Sequence, residues 1–373
     1  MLHHTGTIDD SGDKENQNPG GMGNSLGRRT RSDFEGDNNL TLGPRKRPAR
    51  TDPLVSHGRH FGRTIHAFCR PFALIKEGIS RHLQMETGVF TASDLTENEI
   101  REHNIFKNLL KLSTGLDQRV MRASEQELHY IADMIQKGAA CARSDDTKGL
   151  KSAIIDWITP KDGTLSPPLS RNIKDNRGWF HYRTGQLLCP PTLDWTDADV
   201  RKCLRSGEIV VSGDQWPAFL YENEKINLEN PWDGLLQGAL LVSAFKYIFT
   251  SPSSVESQDT RATRAGNADL HGMKAVTTAS LAYVSTLVRF SLTSSAVFSR
   301  NDKTTDSERF YGSVLGFLEL PSETSEVEAL LRWWNRQEDI PSPPPRIWCS
   351  EDGSASVMDK LMEWRDNNLH PQE

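Results

Sequence analysis

Val276-Thr277-Thr278-Ala279-Ser280-Leu281-Ala282-Tyr283-Val284-Ser285-Thr286-Leu287-Val288-Arg289-Phe290-Ser291-Leu292 is the stretch whose reading decides the fold class. It is apolar on nearly every face, with Thr278, Ser285 and Arg289 leaving only a narrow polar stripe. Such a segment reads as a helix buried at the centre of a domain. Trp232 to Phe249 has the same character and predicts a second central helix. Its longest apolar run, Leu235 to Phe249, is too short to span a bilayer and carries Gln237 and Lys246.

Working outward, the helical period recurs. Phe61, Ile65, Phe68 and Phe72 fall on one helical face, which Pro71 should end or kink. Thr96-x-x-Glu99 is a capping box opening a helix through Leu110. Ser124-x-x-Glu127 opens another, with Leu128, Ile131 and Ile135 on its buried face. Leu150, Ile154 and Trp157 mark a third, stopped by Pro160. The Pro-, Lys- and Asn-rich residues 160–176 read as a surface loop, and Trp179 to Leu188 as a small hairpin about Thr184-Gly185. Thr196 should cap a short helix ending near Gly207. Thr305-x-x-Glu308 and Ser325-x-x-Glu328 should cap two more, the second carrying Val327, Leu330, Leu331 and Trp334. Trp157 and Trp334 therefore read as core residues. The architecture expected is mainly α: an irregular multi-helix bundle with at most one small β-hairpin, plus a disordered N-terminal arm.

Residues 1–53 hold Phe34 as their sole aromatic residue and cannot build a core, so they read as the disordered arm. Residues 54–337 read as one helical domain. In 338–373, Pro341-Ser342-Pro343-Pro344-Pro345 marks a spacer, followed by a tail with one short amphipathic helix at Val357, Leu361 and Trp364.

Within the chain's 373 residues, 44 Lys and Arg face 50 Asp and Glu, a formal charge of −6 that argues against a globally basic nucleic-acid binder. The five cysteines form no C-x-x-C pair, so reduced, mostly buried thiols are expected. With no apolar leader at Met1 and no spanning segment, the reading is a protein with no membrane partner, in the nucleus or otherwise the cytoplasm. The nuclear reading rests on Arg28, Arg29 and Arg31 with Arg45, Lys46 and Arg47, two exposed basic clusters that suit a nuclear import receptor.

The segment 143–337 resembles a domain-of-unknown-function family from mushroom-forming basidiomycete fungi. The likeness is carried by Ala142-Arg143-Ser144-Asp145-Asp146-Thr147-Lys148, Asp156-Trp157-Ile158-Thr159-Pro160 and Thr184-Gly185-Gln186-Leu187-Leu188-Cys189-Pro190. It continues through Trp216-Pro217-Ala218-Phe219-Leu220-Tyr221, Phe249-Thr250-Ser251-Pro252-Ser253-Ser254-Val255-Glu256 and Trp333-Trp334-Asn335-Arg336-Gln337. The resemblance implies a fungal source and a single domain, and it supplies no catalytic residues. Where the family's Gly-Asn-x-x-x-His-Gly loop has a basic residue this chain has Asp269, which argues against that loop gripping phosphate.

The polar loop between the two apolar segments is where a site is expected, because rigid flanking helices position loop side chains. Its candidates are Arg264, Asn267 and His271, met by Asp302 and Asp306 from the segment Ser299 to Glu308. A neutral imidazole and carboxylates in one cleft would share a proton or a metal. The simpler reading makes His271 a structural group at a helix N-terminus, since no second ligand stands at metal spacing. Ser253-x-x-Glu256 is more simply a capping box than a nucleophile and base. No cofactor is implied. The function expected is a non-enzymatic nuclear domain binding a protein or nucleic-acid partner. The alternatives are an enzyme, hydrolase or nuclease, using the His271 loop, and a mobile-element accessory protein.

Overall fold

The computed structural model describes residues 52–89, 91, 94–250, 255, 266–270, 273–300 and 306–337. The arm through residue 51, with both basic clusters, lies outside the described residues, as do the Pro-rich spacer, the tail, Ser253-x-x-Glu256 and Thr305. The described chain is mainly helical. Among its residues no strand forms, only an isolated bridge between Tyr221 and Leu235.

The period that links Phe61 to Phe72 serves two helices rather than one: α1 (Pro53–Thr64) and α2 (Pro71–Glu86). Pro71 opens the second, because its missing N–H and fixed φ suit the first helical position. Asp52 caps α1 by accepting the Leu54 N–H at 2.7 Å. Thr96 and Glu99 form the expected capping box of α3 (Glu97–Leu110). A short α4 (Leu116–Arg122) follows. Ser124 then caps α5, which runs unbroken from Glu125 to Ile158. The sequence suggests two helices here, but no proline interrupts the run, and Pro160 disfavours helical backbone at Thr159.

Helix α5 spans two cores. Its Ile131, Ala132 and Ile135 pack with Phe61, Ile75, Phe106 and Leu109 of the first three helices. Its Leu150, Ile154 and Ile158 belong to the larger core. Helix α1 lies against α5 at backbone distance. A Cβ on Gly58 would stand 2.3 Å from the Ile135 carbonyl oxygen, and one on Gly138 2.2 Å from that of Val55. Only glycine permits this approach.

The expected hairpin is instead a 3-10 turn (Gly178–Phe180) and α6 (Tyr182–Leu188). Gly185 turns no chain. It sits beneath Trp195, whose ring a Cβ would meet at 2.1 Å. Asp197, not Thr196, caps α7 (Ala198–Ser206), which ends as expected at left-handed Gly207. The apolar run from Trp232 is helical only in α8 (Ala239–Phe245), followed by a π turn (Lys246–Thr250). Gly234 and Leu236 have positive φ and bend the preceding residues, so apolar content alone overstated this helix. A single turn, α9 (Asn267–Leu270), leads to α10 (Thr278–Leu292).

Helix α10 is the centre of the larger core, buried from Ala279 to Leu292, so Ser285 and Arg289 of its polar stripe are buried and only Thr278, at its start, is half-buried. Ser285 and Thr286 donate to the Leu281 and Ala282 carbonyls, each at 2.8 Å. Arg289 lays its guanidinium 4.9 Å from the Phe310 ring centroid. Helices α5, α8, α1 and α11 (Ser307–Leu318) pack around it. The last helix, α12 (Thr324–Gln337), starts one residue before Ser325, directly after a 3-10 turn at Pro321–Glu323. Its Trp334 is fully buried and donates to the Leu236 carbonyl at 3.1 Å. Trp157 is only half-buried, edge-on to Tyr247.

The 160–176 loop and the residue after it carry cations inward. Lys174 Nζ donates to the Phe290 carbonyl at 2.5 Å, and Arg177 to that of Ser291 at 2.8 Å. Both cap the last turn of α10, where exposed carbonyls favour positive charge. Burial lowers the Lys174 ammonium to about 7. Of the four described cysteines, all free, only Cys189 is fully buried, fewer than expected.

Candidate functional site

Arg264, His271 and Asp302 lie outside the described residues. The structure places the other two loop candidates in different settings. Asn267, on α9, uses both ends of its amide: Nδ2 donates to the Ile248 carbonyl at 2.5 Å, and Oδ1 accepts from Arg63 at 3.0 Å. Arg63 in turn makes a two-pronged pair with Asp146 at 2.8 and 2.7 Å. Tyr283 donates its hydroxyl to Asp146 at 2.7 Å. All of Arg63, Asp146 and Tyr283 are buried. Burial opposes the Arg63 charge, but the hydrogen bond and field of Asp146 outweigh it and hold the guanidinium above its ordinary pKa. Burial first, then Asp146, pushes the Tyr283 phenol well above its usual range. This network ties α1, α5, α9 and α10 together.

Asp306 precedes α11 in the left-handed region, at φ 39°. It lines an open cleft of about 990 Å³ with His66, Arg101, Arg300, Glu308 and Arg309. The charges there are largely paired. Arg300 meets Glu308 at 2.6 Å, Arg309 meets Asp214 at 3.0 Å, and Arg101 meets Glu319 at 2.8 Å. Arg300 also donates to the Phe68 carbonyl, and both it and Arg143 lie 5.5 Å from the Phe68 ring centroid. The turn between α1 and α2 is held by His66, whose Nδ1 accepts the Phe68 and Cys69 N–H groups at 3.2 and 3.0 Å. Burial pushes the His66 imidazole down to about 3, with Arg101 and Arg300 adding to the effect. These charges and rings serve as a seam between helices.

A different surface presents free apolar groups. The turn Gly178–Phe180, α6 and α7 enclose a small core of Cys189, Trp195 and Leu204, with Trp179, Ile209 and Val211 packed on it. Above it lies a groove of about 290 Å³ lined by Trp179, Phe180, Leu188, Ile209, Val210 and Val211. Phe180 is 57% exposed and Val210 66%. Tyr182, half-exposed, lies 6.0 Å from the Trp195 ring centroid, and Trp195 lies 5.8 Å from Trp179. At the rim, exposed Arg205 donates Nε to the Trp179 carbonyl at 2.8 Å. Among the described residues it has no ion-pair partner. The sequence signal for this surface was the aromatic run Trp179-Phe180-His181-Tyr182, which the hairpin reading absorbed as strand residues.

Among the described residues, no group of three or more His, Cys, Asp or Glu stands where it could hold a metal ion. No described helix is long and apolar enough to cross a membrane.

Asp146→Ala should cost about 3–5 kcal/mol, because it leaves the Arg63 charge and the Tyr283 hydroxyl buried without their partner. Urea denaturation measures this, and a loss below about 1 kcal/mol would show that the network carries little of the fold. His66 has a folded pKa below its unfolded value, so the unfolded state binds more protons between the two. Stability should therefore fall as pH drops from about 6.5 toward about 3. His66→Gln should flatten that slope between roughly pH 6.5 and 5, where carboxylates are still ionised. An identical slope in both proteins would exclude His66 as its source.

Residues 137–337 match the model of a family described as "Family of unknown function (DUF6698)". No curated protein and no solved structure matches the chain.

Proposed function

Since the chain belongs to this family of unknown function, DUF6698, we propose from the geometry of its surface that it is a non-enzymatic, nuclear binding module. Its partner is a protein, which inserts an apolar side chain into the groove beside Phe180. The observation that carries this reading is the exposure of Phe180 and Val210 on the walls of an apolar groove. Large apolar side chains left together in water mark contact surfaces, and an aromatic anchor at the centre supplies most of the binding energy. Arg205 at the rim favours a carboxylate close to that anchor. A protein is preferred over nucleic acid because this surface offers mainly apolar groups, with Arg205 at its rim forming no ion pair among the described residues, on a chain of net charge −6.

Nuclear entry is assigned to the clusters Arg28-Arg29-Thr30-Arg31 and Arg45-Lys46-Arg47. A fungal source is part of the same reading. The rival enzymatic use of the His271 loop has less support, because Asn267 spends its amide on Arg63 and Ile248.

A peptide library displayed against the full chain should return sequences pairing an aromatic or large aliphatic residue with Asp or Glu. Phe180→Ala should weaken these peptides by about thirtyfold, the scale of a hot-spot truncation. Its melting temperature should stay close to wild type, since exposed side chains contribute within about 0.5 kcal/mol. Peptides that bind the variant as well as the wild type would remove the groove from consideration. In cells, a fluorescent fusion carrying Arg45, Lys46 and Arg47 all changed to alanine should leave the nucleus, and continued nuclear accumulation would reject that cluster as the import signal.

A further inference from the structure

A second cavity, of about 520 Å³, shares Arg101 with the paired cleft. Helix α3 forms one wall with Arg101, Asn104, Ile105 and Asn108. These residues follow i, i+3, i+4 and i+7 spacing, and Lys111 and Leu112 extend the row. The opposite face of α3 buries His103, Phe106 and Leu109, so the cavity row is what the helix leaves outward. Helix α1 contributes His60 and Thr64, and Ile65 follows at its end. The segment Met273–Ala275 and the first turn of α10, with Thr277 and Thr278, close the other side.

The charge balance separates this cavity from its neighbour. The larger cleft sets Arg70, Arg101, Arg300 and Arg309 against Glu77, Glu102, Asp306 and Glu308, four cations to four carboxylates. The smaller one sets Arg101, Lys111 and Lys274 against Glu319, three to one, an excess of two positive charges on a chain whose net charge is −6. Lys111 and Lys274 are exposed, and among the described residues neither forms an ion pair. The single carboxylate is weakened as a competitor. Burial raises the Glu319 pKa against the pull of Arg101. Arg101 Nε and Glu319 Oε2 are 2.8 Å apart, yet neither buried atom has hydrogen-bond geometry with a partner. The first turn of α10 adds the positive end of its helix dipole to the same wall.

We propose that this cavity binds a small phosphate ester of nucleotide size. Lys111 and Lys274, which form no ion pair among the described residues, take the phosphate beside Arg101, since several cations lining one cavity favour a compact dianion over a carboxylate. Asn104 and Asn108 offer amide donors and acceptors to polar atoms of the organic group. Ile65, Ile105, Leu112 and Met273 provide an apolar surface for a base or similar flat ring. The volume falls within the range of about 300–1,000 Å³ usual for small-molecule sites. This site is separate from the Phe180 groove and does not rest on the protein-partner reading.

Calorimetry on the full chain with adenosine 5′-monophosphate, uridine 5′-monophosphate, adenosine and inorganic phosphate tests it. At least one nucleotide should bind, adenosine should bind at least about tenfold more weakly, and inorganic phosphate should compete. Lys111→Gln with Lys274→Gln should weaken the nucleotide at least about tenfold and reduce the salt dependence of its binding. Both lysines are exposed, so the variant should fold. If its circular dichroism differs from wild type, Asn104→Ala serves as the second variant and should weaken the nucleotide while leaving inorganic phosphate unchanged. Phe180→Ala should bind the nucleotide like wild type, which separates failure here from failure of the groove. The proposal is overturned if neither nucleotide binds the wild type, if adenosine binds as tightly as its monophosphate, or if the lysine variant binds undiminished.

Discussion

The buried pair of Arg63 and Asp146 is the interaction on which the described fold depends most. Taking both charges out of water costs several kcal/mol each, and the pair repays that only when its remaining hydrogen-bond sites are filled. Tyr283 fills one on Asp146, and Asn267 takes a further N–H of Arg63. Four elements must therefore be in place together: α1 for the arginine, α5 for the aspartate, α10 for the tyrosine and α9 for the amide. Any one missing would leave a charge or dipole unpaired in the interior. Apolar packing alone would tolerate sliding of α1 along α5, whereas the two-pronged pair accepts a single register.

Register matters because α5 serves two cores. Its first half packs with α1 to α4 and its second half with α8, α10 and their neighbours. The stretch matching the family begins at residue 137, inside α5 and next to Gly138, where α1 comes closest. Arg63 lies before that stretch and Asp146 within it. The helices preceding the matched stretch are thus built into the interior of this chain. The contact that joins them to it combines glycine-permitted proximity with a charge pair.

The same logic distinguishes the surfaces. Where cations and carboxylates are balanced, as around Arg300 and Glu308, the side chains hold helices to one another. Where the balance fails, as at Lys111 and Lys274, the lysines form no ion pair among the described residues. Where aromatic residues stand on a small satellite core and still reach water, as at Phe180, apolar surface is left exposed.

Much of the secondary structure was legible in the sequence because its signals are local. The Thr96-Glu99 box, the Ser124 cap, the Gly207 stop and the apolar face ending at Trp334 depend on residues within a turn or two of each other. The mainly helical class followed from the same periodicity. Where the sequence misled, the deciding contact was distant. Gly185 reads as a turn residue until Trp195 is seen above it, and the run from Trp232 reads as helix until Gly238 is seen against the Phe219 carbonyl. Asn267 stood out correctly as a special residue, but its role required Arg63, more than two hundred positions away. The two surfaces lay further out of reach. Free and paired arginines look alike in a sequence, and an aromatic run does not say which ring is buried. Local propensity determined the elements; which charges found partners, and which rings stayed in water, was settled only when the helices packed.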